Sequence, residues 1–68
     1  MTTYTATARN NNENDETRFI ISPLRNGKFN LYMCEDGMNN AINVIPTTKA
    51  DLVQILKNLY DVVEVHRA

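Results

Sequence analysis

Cysteine, histidine and tryptophan are nearly absent from this 68-residue chain, which has one Cys, one His and no Trp. Since Cys34 has no second cysteine to pair with, an intrachain disulfide is excluded, and Cys34 with His66 alone cannot make a zinc site. An unpaired cysteine fits a reducing compartment. We therefore predict that Cys34 is a small half-buried apolar residue and that the protein needs no metal or other cofactor.

Long apolar runs are absent as well. No stretch approaches the ~20 residues of a membrane-spanning helix. Met1 is followed by polar residues, whereas a signal peptide has a basic stretch and an apolar core. The sequence thus predicts a cytoplasmic protein with no membrane partner. Its shortness and Asn-rich start would suit a phage accessory protein, located in the host cytoplasm or nucleoid.

Groups for catalysis are few. General acid–base chemistry needs a carboxylate pair or a histidine held in a pocket. His66 lies among the last three residues, where chains fray. Glu35 and Asp36 are adjacent, so on a strand they would point to opposite faces. Gly27 and Gly37 have the setting of turns and form no phosphate-binding loop. The sequence predicts that the protein is not an enzyme.

The first sixteen residues contain little that could form a core. Tyr4 is their only large apolar residue after Met1. Such a composition does not offset the entropy lost on ordering, so we predict a flexible polar tail over 1–16 and a folded domain over 17–68. A domain of this size usually needs a staple. With disulfide and metal excluded, a homodimer is expected.

Three strands are predicted within the domain. The segment 17–23 (TRFIISP) is rich in strand-favouring residues and ends at a proline. Asn26-Gly27 is a strong hairpin signal. The following segment alternates, with Phe29, Leu31 and Met33 on one face. A second turn is predicted from Asp36-Gly37 through residue 40, and a third strand over 41–45 (AINVI).

One helix is predicted over 49–63, capped by Thr47 or Thr48. The fold class is therefore α+β, an antiparallel β-meander followed by one C-terminal helix (β-β-β-α). The apolar positions of the helix cover an arc of about 180°, whereas a surface helix needs a stripe of only ~100°. One flank would pack on the sheet. The other flank would pair with a second copy, or be covered by loop or tail residues. The predicted dimer interface comprises Leu52, Ile55, Leu56, Leu59, Tyr60 and Val63.

The charges are unevenly distributed although the net charge is only −1. Residues 18–34 carry three cations and no acid, and the segments on either side are net acidic. The outer face of the predicted sheet brings basic and amide groups around an aromatic ring, through Arg25, Lys28, Asn30, Tyr32 and Asn43. Such a surface suits single-stranded nucleic acid, because cations contact phosphates and aromatics stack on bases. Alternatively, these residues are only the polar side of an antiparallel sheet.

Several segments over residues 17–65 resemble a known family. They are Arg18-Phe19-Ile20-Ile21, a turn with Gly27-Lys28, the alternating strand 29–35, a short strand at 42–44 and a Pro-containing start to a Leu-rich helix. Together they resemble the transcriptional coactivator family called positive cofactor four. The resemblance implies small dimers that pair through helices, and a curved sheet that grips single-stranded DNA. It also implies a role in transcription, replication or recombination.

Only some positions of this chain match the residues that contact DNA in the family. Lys28 matches a basic residue that faces DNA in the family, whereas Arg25 stands where the family has a stacking aromatic. Family aromatic and basic residues at the end of the second strand are replaced by the segment 34–37. The family's basic cluster before the third strand is replaced by Asn39 and Asn40.

We accordingly expect a homodimer that binds single-stranded DNA without sequence specificity, with replication or transcription proteins as further partners. Arg18, Arg25 and Lys28 would contact phosphate. Tyr32 and Phe19 would stack on bases, and Asn30 and Asn43 would form hydrogen bonds. The competing hypothesis is a small protein-binding inhibitor or adaptor that uses its acidic tail and helix. A dimeric structural subunit without a ligand is the third.

Overall fold

The fold is α+β and consists of a five-stranded antiparallel sheet and one helix. The computed structural model describes residues 2–42 and 44–68. The strand order in the sheet is β4-β3-β2-β1-β5. The elements in chain order are β1 (Tyr4–Arg9), β2 (Thr17–Pro23), β3 (Phe29–Glu35), β4 (Met38–Ala41), α1 (Lys49–Leu59) and β5 (Val62–Arg67).

The β2–β3 hairpin forms as predicted. Gly27 adopts φ 79°, a left-handed conformation that glycine reaches without steric cost. The side chain of Asn26 accepts a hydrogen bond from the backbone N–H of Lys28 at 3.3 Å. In the paired strands, Phe19 and Ile21 of β2 and Leu31 of β3 are buried together. The core face predicted for the strand over residues 29–35, which is β3, is thus confirmed.

The β3–β4 connection is tighter than predicted. Asp36 and Gly37 both have positive φ, 51° and 78°, and Glu35 pairs directly with Met38. These are the features of a two-residue type I′ turn. The next strand therefore starts at Met38, and the predicted strand over 41–45 is wrong. Ile42 and Val44 instead pack on the core from the connection to α1. Asn43 lies outside the described residues.

Residues 4–9 form strand β1, which corrects the prediction of a flexible tail. This strand lies between β2 and β5 inside the sheet. Ala6 and Ala8 are 0% and 1% exposed, so they belong to the core. The prediction failed because it required large apolar side chains. Alanines suffice here because β1 is interior, and hydrogen bonding on both edges satisfies its backbone.

Helix α1 starts as predicted but ends four residues earlier. The Thr48 side chain caps it by accepting the backbone N–H of Asp51 at 3.2 Å. The helix ends at Leu59, and the segment from Val62 to Arg67 pairs with β1 as strand β5. The helical periodicity that extended to residue 63 is therefore misleading. Three β-branched valines lie within four positions there, and such residues favour strand over helix.

The helix covers one face of the sheet. Leu52 and Leu56 are fully buried against Ala6, Ala8, Phe19, Ile21 and Leu31. No described helix or strand packs on the opposite face, which we call the open face. Among residues 2–42 and 44–68, no helix is long and apolar enough to cross a membrane.

Candidate nucleic-acid interface

The open face has a central row of side chains that crosses all five strands. Residues paired across antiparallel strands point to the same face of a sheet. The register pairs Tyr32 with Ile20, and Ile20 with Thr5. The row ends at Ala41 on β4 and at His66 on β5. Tyr32 is half-buried in this row, and its direct partners on the neighbouring strands are Ile20 and Ala41.

The neighbouring row on the open face contains the only cation of β2. Arg18 is exposed, pairs with Cys34 and lies two positions from Ile20 along the strand. The diagonal distance between side chains in such adjacent rows is about 7–8 Å. A long arginine side chain can therefore reach a ligand that contacts Tyr32. On the other side of Tyr32, Asn30 pairs with Ser22 on the same face.

The electrostatic character changes from one end of β3 to the other. At the β2–β3 hairpin, Arg25 and Lys28 are exposed. At the other end a shallow concavity of about 560 Å³ includes Arg18, but also the carboxylates of Glu16, Glu35 and Asp36. A phosphate backbone is repelled by this acidic end and attracted by the hairpin. A nucleic acid would therefore lie between Tyr32 and the hairpin.

Phe19 does not belong to the open face, which corrects its assignment as a stacking residue. It is 3% exposed and lies in the core. Its ring meets the ring of Tyr60 edge-on, with centroids 5.9 Å apart. Its neighbour Ile20 takes the outward position on β2. The predicted site residues that the open face does bring together are Arg18, Asn30 and Tyr32, with Arg25 and Lys28 at the adjoining hairpin.

The residues predicted for a dimer interface separate into three groups by exposure. Leu52 and Leu56 are buried in the chain's own core, which corrects their assignment, because no partner can reach them. Ile55, Tyr60 and Val63 are half-buried. Only Leu59 remains strongly exposed, at 65%. The wide apolar arc is explained largely by the chain's own sheet, since β1 and β5 add to the surface under the helix.

Sequence reasoning missed two members of the central row. Thr5 was placed in the tail and His66 at a fraying end, whereas both lie on paired strands. His66 is within 4.0 Å of Glu64, two positions away on the same face of β5. The alternation of Thr5 and Thr7 with Ala6 and Ala8 is the signal that could have revealed β1.

Comparisons with protein-family models, with curated proteins and with solved structures give no match.

Proposed function

We propose that this protein binds single-stranded DNA without sequence specificity on the open face of its sheet. The observation that carries the proposal is the position of Tyr32 at the centre of strand β3 on an uncovered face, with Arg18 and Asn30 in the adjacent rows. Aromatic stacking on a splayed base contributes about 1–3 kcal/mol and tolerates any base, because every base has a π face. This chemistry gives affinity without sequence preference.

The basic hairpin supplies the second component of the interface. Arg25 and Lys28 are exposed at the end of β2 and β3, beside Asn30. Cations at this position contact successive phosphates while a base lies on Tyr32. Amide groups such as that of Asn30 add hydrogen bonds to bases or sugars. The acidic turn at Asp36 keeps the phosphates of the bound strand toward the hairpin, and Arg18 reaches the strand from the other side of Tyr32.

The active species in this proposal is a homodimer. Leu59 is 65% exposed near the end of α1, and Ile55 lies one turn before it on the same side. A second copy would cover these side chains. Pairing of helices between two copies is also what the sequence resemblance to the positive cofactor four family implies. The process served would then be transcription, replication or recombination, in contact with proteins of those machineries.

Fluorescence anisotropy of a labelled single strand of ~20 nucleotides tests the proposal. The protein is titrated at low and at physiological salt, with duplex DNA as competitor. We expect micromolar or tighter binding that prefers the single strand and weakens with salt. Flat titrations at both salt concentrations would contradict the proposal.

Two substitutions at Tyr32 sharpen this test. Tyr32→Leu removes the aromatic ring but keeps an apolar side chain beside Ile20, and should weaken binding by about 5- to 150-fold. Tyr32→Phe keeps the ring and should bind like the parent. Equal affinities for all three proteins would exclude stacking on this residue.

A further inference from the structure

The edge strand β5 and helix α1 form a groove on the covered face of the sheet. The groove has a volume of about 510 Å³. Val53 of the helix and Val63 and Val65 of the strand provide apolar side chains, and Lys49 and Lys57 provide the charged ones. No carboxylate lines it among the described residues. An apolar groove with two lysines is complementary to a ligand that is both apolar and acidic.

The backbone of β5 is available for pairing along one side. β5 pairs with β1 and is the last strand of the sheet. The N–H of Ala68 donates to the carbonyl of Thr3 at 2.9 Å, so residues at even positions of β5 direct their backbone groups toward β1. Because this direction alternates along an antiparallel strand, Val63, Val65 and Arg67 direct theirs outward. Such an unpaired edge is a template for another strand.

The free backbone groups and the groove belong to the same residues. Val63 and Val65 pair with Ala8 and Ala6, which are buried under the helix, so their side chains lie on the covered face. A strand added at this edge would alternate in the same way. Every second side chain of that strand would lie at the groove, between the two lysines. The other side chains would continue the open face.

The spacing of the lysines matches the repeat of an extended chain. Lys49 and Lys57 are eight positions apart on α1, which corresponds to about 12 Å along the helix axis. Two residues four positions apart on a strand are about 13 Å apart. α1 and β5 are joined by only two residues, so they run side by side in opposite senses. Two acids at positions i and i+4 of an added strand thus match the spacing of the two lysines, of which Lys49 also lies over the Tyr4 ring, 4.2 Å from its centroid.

We infer that the β5 edge binds an extended acidic peptide of a partner protein by strand addition. The peptide has an apolar residue at position i+2, which lies over Val53 and Val65, and acids at i and i+4, which pair with Lys49 and Lys57. Main-chain hydrogen bonds to Val63, Val65 and Arg67 hold the backbone. This mode of recognition combines main-chain pairing with side-chain pockets at alternate positions.

The charges favour such a peptide over the β5 strand of a second copy. Symmetric pairing of two β5 strands about Val65 would place Arg67 of each copy opposite Val63 of the other. The arginine would then lie at the end of the groove where Lys57 is, because Val63 follows closely after the helix. Like charges at such a site are destabilising. The surface proposed for the homodimer is separate, since Ile55 lies on the other flank of the helix from Val53 at about 100° per residue.

The test uses the intact protein labelled with ¹⁵N and a synthetic peptide, Thr-Glu-Thr-Val-Thr-Glu-Thr. We expect the largest amide shifts and slowed hydrogen exchange at Val63, Val65 and Arg67. A peptide with lysine in place of both glutamates should bind at least about fivefold more weakly. Shifts on the open face, or equal binding of the two peptides, would overturn the inference. Protection of the Val65 amide that rises with protein concentration before peptide is added would also overturn it, since a second copy would then occupy the edge.

Two variants separate the backbone from the side chains. Arg67→Pro removes one outward N–H at an edge, where proline is tolerated, whereas Arg67→Ala removes only the side chain. Binding should be weaker for the proline than for the alanine variant. Lys57→Glu should weaken binding of the acidic peptide and strengthen that of the lysine peptide. Peptide binding is also measured in the presence of saturating single-stranded DNA, and unchanged peptide affinity would show that the β5 edge and the open face bind independently. Failure of peptide binding would then leave the proposed DNA binding untouched, and failure of DNA binding would leave the peptide site untouched.

Discussion

Asn11 donates its backbone N–H to the carboxylate of Asp61 at 2.8 Å, although 50 positions separate the two residues. The backbone N–H of Asp61 in turn donates to the side chain of Asn10 at 3.2 Å. These two bonds fasten the β1–β2 loop to the connection between α1 and β5. They give the Asn-rich segment a structural role, because they close the end of the β1–β5 pair at which Arg9 lies opposite Val62.

Asp61→Ala should therefore destabilise the fold. The substitution removes the acceptor of the Asn11 N–H, and a hydrogen bond of this kind contributes about 0.5–1.5 kcal/mol. Urea unfolding followed by circular dichroism measures the change. Asp15→Ala is the matched control, because it removes the same charge from an exposed position of the β1–β2 loop. Equal stabilities of the two variants would show that the bond contributes nothing.

Deleting residues 2–9 should abolish cooperative unfolding. The deletion removes β1, and with it the pairing partner of both β2 and β5 and the buried Ala6 and Ala8. A flexible tail could be removed without such an effect. Thermal denaturation of the truncated and parent chains distinguishes the two cases, and a sigmoidal transition of similar midpoint in the truncated chain would contradict the position of β1.

The sequence predicts best those parts of the fold that depend on local chemistry. Asn26-Gly27 and Thr48 each determine a turn or a cap within a few residues, and both are found as expected. Strand β5 was missed because Val62 and Val63 continue a helical apolar pattern, and only pairing with β1 selects the strand. The candidate interface was partly predicted. Tyr32 lies on the outer face by simple alternation, whereas the face of Phe19 depends on its register with β3.

Leu59→Asp should convert a dimer to a folded monomer. Leu59 is 65% exposed within one chain, so the charge costs little there but is unfavourable in an apolar contact between copies. Sedimentation velocity measures the change in mass. Leu56→Asp, at a position 1% exposed, should instead unfold the chain. A parent protein that sediments as a 7.8 kDa monomer at high concentration would contradict the homodimer.

Arg25→Ala combined with Lys28→Ala should weaken binding of single-stranded DNA and reduce its salt dependence. Each lost phosphate contact lowers the slope of log affinity against log salt by about 0.7. The double variant should thus lower the slope by up to about 1.4. Lys57→Ala removes a cation from the helix side and serves as the control. An unchanged slope in the double variant would exclude the hairpin from the interface.

The most direct test of the central claim is an NMR titration of the ¹⁵N-labelled protein with a short oligo-dT strand. Binding on the open face predicts amide shifts at Ile20, Asn30 and Tyr32, with the Tyr32 ring signals moving upfield as a base stacks on them. The amides of Leu52 and Leu56, buried under the other face, should change little. Shifts confined to α1 and β5, or no shifts at all, would contradict the account.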